Sequence, residues 1–133
     1  INKDEKNIHE HSFVKVPKKW ENKELNKKWD QLFKIKQEAN IAIEAKRTSK
    51  EIGSSLEAEV KLKVNKTKFE LLNNLDLAEY LITSKAEKIL SEQEETIIEV
   101  GRAKGNKCPR CWKYFETDED SILCYRCKKV LDE

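Results

Sequence analysis

The chain has 133 residues, 39% charged and 38% hydrophobic, which gives room for one ordinary domain with a modest core. Its 27 Lys and Arg against 25 Asp and Glu leave a net charge of +2, which excludes a uniformly basic nucleic-acid coat and confines any such role to local patches. No apolar run approaches the ~20 residues a membrane span needs, and the polar start INKDEKNIHEHS is unlike a signal peptide, so a cytoplasmic protein free of membranes is expected.

The sequence begins at Ile1 and contains no Met, and it reads as a piece of a longer protein. Residues 1 to 17 look irregular, with a short extended run at Phe13-Val14-Lys15-Val16 before Pro17. His9 and His11 lie in this polar stretch and read as solvated rather than metal-binding. From Asn22 to Ser49 there is no Gly or Pro. Leu25, Trp29, Leu32, Ile35, Ala39, Ala42 and Ile43 recur at three- and four-residue spacing, which predicts one long helix with an apolar stripe and Asn22 as its N-cap.

Gly53 closes that pattern. Leu56, Ala58, Val60, Leu62 and Val64 then alternate strictly with polar residues, the signature of a half-buried strand. Residues 67 to 79 read as one or two short helices with Phe69, Leu72, Leu75 and Ala78 inward. Tyr80 to Ser84 is expected as a second strand and Thr96 to Arg102 as a third. The order predicts an α+β fold: a long helix, a small mixed α/β unit, and a C-terminal four-cysteine zinc finger of zinc-ribbon type.

The finger rests on all four cysteines of the chain. Cys108-x-x-Cys111 and Cys124-x-x-Cys127 each have the spacing of a knuckle, a tight turn that aims two thiolates at one point. Two knuckles face to face complete a tetrahedral site with Zn–S about 2.3 Å, filled entirely by protein and therefore structural. Gly105 and Pro109 suit the sharp turn. A disulfide pair is disfavoured in a reducing compartment, and a redox motif needs one such pair rather than two. A rubredoxin-like iron centre uses the same ligands, and spacing alone leaves it open.

Arg102, Lys104, Lys107, Arg110 and Lys113 surround the first knuckle, and Arg126, Lys128 and Lys129 the second. They exceed what one thiolate centre needs for neutralisation, and the acids of the tail sit apart in Glu116, Asp118-Glu119-Asp120 and Asp132-Glu133. Trp112 either covers the metal site or stands out as a platform on which a base stacks, ringed by Arg110, Lys113, Tyr114 and Tyr125.

The stretches NIAIEAKRTSKEIGSSLEAEVKL, EVGRAKGNKCPRCWKY and LCYRCKKVL closely resemble the C-terminal end of bacterial-type isoleucyl-tRNA synthetases, class I aminoacyl-tRNA synthetases. The resemblance runs from about Trp29 to Leu131. It implies a lead-in segment and last helix of an anticodon-binding helical domain over residues 1–50, a small α+β domain over 51–100, and a four-cysteine zinc finger over 101–133. Cys108, Cys111, Cys124 and Cys127 carry over as the ligands of one structural zinc. Trp112 carries over as the foremost RNA contact and Arg110 next, with Lys113, Arg102, Lys107 and Arg126 as further candidates. The implied partners are the anticodon stem-loop of isoleucine tRNA and the remainder of the synthetase chain, with the protein a monomer. The adenylation signatures of that family, HIGH-like and KMSKS-like, are absent from these residues, so no catalytic site is expected here. Two rival readings of the same residues are a zinc-stabilised docking module and the nucleic-acid-binding finger of a DNA glycosylase-like protein. The upstream helix and alternating strand argue against the glycosylase.

Overall fold

A computed structural model describes residue 9, residues 12–117 and residues 121–132. Residues 1–8, Glu10, His11, the acidic run Asp118-Glu119-Asp120 and Glu133 lie outside the described residues. Helix α1 runs over Lys23–Thr48, and the Asn22 side chain caps it by accepting from the Leu25 backbone N–H at 3.0 Å. It is followed by β1 (Ala58–Val64), α2 (Lys66–Leu71), α3 (Leu77–Leu81), β2 (Lys85–Leu90) and β3 (Ile97–Arg102). The finger then adds a two-stranded ribbon, β4 (Asn106–Lys107) with β5 (Tyr114–Phe115), and α4 (Tyr125–Asp132).

The alternating segment forms the central strand of a three-stranded sheet, order β2-β1-β3, parallel to β2 and antiparallel to β3. Ala58, Val60, Leu62 and Val64 are fully buried at 0% exposure, while the outward Glu59, Lys61 and Lys63 pair with Lys85, Glu87 and Glu99 of the flanking strands. Cross-strand pairs of this kind register a sheet whose other face is wet. Leu32, Ile35, Ala39 and Ile43 of α1 join the β1 residues and Leu72, Leu77 and Leu81 in one core. The stripe predicted on α1 therefore splits. Its middle and C-terminal positions are buried, whereas Leu25 and Trp29 stay about half exposed near the N-terminal end.

The expectation of a strand over Tyr80–Ser84 is incorrect. Asp76 accepts from the Glu79 N–H at 3.0 Å and starts α3, which carries the chain through Leu81; the second strand begins only at Lys85. An acidic N-cap followed three residues on by Glu was the missed helix signal. Phe13, Val14 and Val16 pair with no strand and are largely exposed. Among the described residues no helix is long and apolar enough to cross a membrane.

Candidate metal centre and nucleic-acid interface

The first knuckle is built by backbone bonds. The Trp112 N–H donates to Cys108 O at 2.8 Å, and the Cys108 N–H donates to Lys113 O at 2.9 Å, closing the loop into the β4–β5 ribbon. Gly105 makes the ribbon possible. It has φ +94, and a Cβ there would lie 2.1 Å from the Phe115 carbonyl oxygen. The second knuckle runs straight into α4, whose first turn carries Cys127 inward.

The four Sγ atoms lie within 4.8 Å of one another, with Cys111 and Cys124 at 3.6 Å. Four sulfurs ~2.3 Å from a common centre in a tetrahedron stand about 3.8 Å apart, so the cluster has the size of a metal–thiolate site. All four are free thiols; Cys108 and Cys127 are buried and Cys111 and Cys124 partly so. Burial pushes the Cys111 thiol up to about 12 and raises Cys124. At Cys108 burial acts in the same sense, but backbone N–H groups of Cys111, Cys124 and Arg110 outweigh it and bring the thiol down to about 6. Four thiolates this close repel one another strongly, and a bound cation is what lets them coexist. The residues present fit a four-coordinate metal ion with no open position.

The candidate contacts divide by environment. Trp112 is 60% exposed, directly after Cys111 in the first knuckle. Its φ is +66, a left-handed backbone that costs a non-glycine residue roughly 1–2 kcal/mol. Lys107 Nζ lies 5.6 Å from the centre of its ring. Arg110 is exposed and pairs with no acid among the described residues. Arg102 stands 3.8 Å from Glu57 and 6.0 Å from the Tyr114 ring. Lys113 and Arg126 both reach Glu79 of α3, a partner that sequence reasoning missed because the three residues are far apart in the chain. His9 is exposed and far in sequence from the cysteines.

The fold and cluster define a class: a four-cysteine, zinc-ribbon-like finger carried on a small α+β unit. No family model matches the chain. It is 51% identical over 113 residues, 85% of its length, to an isoleucine–tRNA ligase of Pelagibacter ubique. It is 37% identical over 127 residues, 95% of its length, to one of Zymomonas mobilis, and 41% identical over 115 residues, 74% of its length, to one of Haemophilus influenzae. The chain belongs to the isoleucine–tRNA ligase family, resembling its C-terminal region with the finger. It spans only 12–13% of the length of these relatives.

Proposed function

We propose that this chain is the tRNA-gripping part of an isoleucine–tRNA ligase, holding the anticodon stem-loop of isoleucine tRNA while the remainder of the ligase carries out ATP-dependent aminoacylation. In this reading residues 1–50 bring the last helix of an anticodon-binding helical domain, 51–100 the α+β domain and 101–133 the finger. The parent enzyme is a cytoplasmic monomer, and these residues hold no active site. The metal is zinc, which when bound joins the two knuckles and supplies no further chemistry. The chain's own residues do the rest: Cys108, Cys111, Cys124 and Cys127 fix the loop, Trp112 offers its ring to a base, and Arg110, Lys107 and Arg102 face phosphate.

The observation that carries the reading is Trp112 itself. A large aromatic ring is held out to solvent on a left-handed backbone, the conformation glycine adopts most cheaply, directly after a metal ligand. Strain of this kind persists where the side chain serves a purpose that glycine could not. Base stacking on such a ring is worth about 1–3 kcal/mol.

The test is titration of isoleucine tRNA with the zinc-loaded full-length ligase and its Arg110→Gln variant, competed by an unrelated tRNA and repeated at rising salt. The reading expects affinity to fall linearly in log–log form, by about 0.7–0.9 per phosphate contact, with a shallower slope in the variant. A variant indistinguishable from the parent at every salt concentration would sink it.

A further inference from the structure

Glu79 sits on α3, outside the finger, yet its Oε1 accepts from Lys113 Nζ at 2.7 Å and from Arg126 Nη1 at 2.9 Å. Lys113 follows Trp112 in the first knuckle, and Arg126 lies between Cys124 and Cys127 in the second. A single carboxylate therefore holds one cation from each half of the finger. Two further hydrogen bonds join the finger side to the α+β unit: the Tyr114 N–H donates to the Ser84 side-chain Oγ at 2.6 Å, and the Ala103 N–H to the Glu57 backbone O at 2.8 Å. Only Ala103, Lys104 and Gly105 link β3 to β4, and these contacts act together with that short link to hold the finger against the α+β unit.

The five candidate RNA cations consequently differ in availability. Lys113, with a side chain 19% exposed, must break an existing ion pair to reach a phosphate. That exchange returns one charge contact for another and gains little. Arg110 has no such partner among the described residues, and Lys107 faces the exposed Trp112 ring. The Lys113 hydrogen bond, foremost, holds the Glu79 carboxyl below the usual carboxylate range, in keeping with an anion shared by two cations.

We infer that Glu79 is a positioning residue: it commits Lys113 and Arg126 to the seam between finger and α+β unit and turns Trp112, Lys107 and Arg110 toward RNA. The inference rests on the RNA-gripping reading above and deepens it by choosing the face. Removing the Glu79 charge frees two cations while loosening the seam, a combination that loss of stability alone would not produce.

The experiment compares full-length ligase with its Glu79→Gln, Lys113→Gln, Arg126→Gln and Arg110→Gln variants, each first checked for zinc content. Two quantities are read: the salt slope of isoleucine tRNA binding, and hydrogen exchange at the Tyr114 amide. Glu79→Gln is expected to speed that exchange at least several-fold and to steepen the salt slope. Lys113→Gln or Arg126→Gln should speed exchange and leave the slope unchanged. Arg110→Gln should leave exchange unchanged and lower the slope by about 0.7–0.9. A Lys113 variant that lowers the slope as much as the Arg110 variant overturns the assignment of faces while leaving RNA gripping intact. Unchanged Tyr114 exchange in Glu79→Gln overturns the clamp. If no variant, Arg110→Gln included, moves the slope, RNA gripping fails and the choice of face fails with it.

Discussion

Lys107 Nζ lies 5.6 Å from the centre of the Trp112 ring, so the strand that leads into the first knuckle places a cation over the aromatic group that leaves it. The pair is exposed, where a cation–π contact contributes about 0.5–1 kcal/mol. That is too little to explain a tryptophan at φ +66, where the backbone cost is of the same size or larger. Trp112→Gly should therefore leave the thermal stability of the finger within about 1 kcal/mol of the parent, because the backbone strain it relieves offsets the ring's lost contacts and glycine keeps the N–H bond to Cys108 O. The same variant should retain zinc and bind isoleucine tRNA more weakly by about 1–3 kcal/mol. Melting curves and titrations together check this; a loss of zinc would show that the ring is structural.

Metal removal is expected to divide the molecule. The finger buries few large apolar groups besides its cysteines, and Ala103 is the one other buried apolar residue described after Val100. A metal bound by the four cysteines would then supply most of its folding energy, about 10–16 kcal/mol in small fingers. Cys124→Ser, or chelation, should abolish amide protection at Cys108 and Tyr114 while Val60 and Leu62 stay protected. Hydrogen exchange followed residue by residue, with metal analysis alongside, decides it. Loss of protection in both regions at once would mean that the sheet depends on the metal.

Gly105→Ala should act on the same finger through sterics alone. Its Cβ would collide with the Phe115 carbonyl, and φ +94 is unfavourable for any L residue, so β4 and β5 cannot pair as they do. Nothing flexible lies in the way to yield, since the obstructing atoms are backbone. A loss of at least about 2 kcal/mol is expected. It would appear as faster zinc transfer to a competing chelator, with the far-ultraviolet signal of α1 unchanged.

The parts of this architecture that the sequence made legible are those governed by local period or fixed spacing. The alternation through Val60 and Leu62 predicted β1, the three-and-four spacing around Leu32 and Ile35 predicted α1, and two knuckles separated by a hairpin length predicted the thiol cluster. What stayed hidden depends on partners distant in the chain. Residues 80–84 have the apolar look of a strand, yet the Asp76 cap and the packing of Leu77 and Leu81 turn their first part into helix. Edge strand β2 shows almost no burial pattern of its own and is defined by its parallel ladder with β1. The Glu79 clamp joins residues 34 and 47 positions apart, which no local pattern encodes.

Ile82 also stands in the left-handed region, where the balance of strain and burial differs from that at Gly105. It caps α3 with φ 58 and is 54% exposed, so a β-branched residue occupies a left-handed position with nearly half of its surface covered. Ile82→Gly should change the stability of the α+β unit by less than about 1 kcal/mol, since the relieved backbone strain and the apolar burial lost are of similar size. Chemical denaturation monitored by Tyr80, whose ring contacts Trp29, reports on that unit directly. A variant destabilised beyond that would mean that the Ile82 side chain makes a contact within the larger ligase that outweighs its strain.

Residues 1–50 and 51–100 meet through α1 and β1 in one buried cluster. Leu32 and Ile35 on α1 are 1% and 3% exposed and share one core with Val60 and Leu62 of β1. Truncating a buried leucine typically costs about 2–5 kcal/mol, through lost burial and the cavity left behind. If α1 folds as one cooperative unit with the sheet, Leu32→Ala should lower exchange protection of the β1 amides as much as that of α1 itself. If α1 instead belongs energetically to a helical domain supplied by the rest of the ligase, the isolated chain and the full-length enzyme will respond differently. In the full-length enzyme α1 protection would then survive Leu32→Ala while that of β1 falls. Measuring both proteins with the same substitution separates a shared core from a borrowed one.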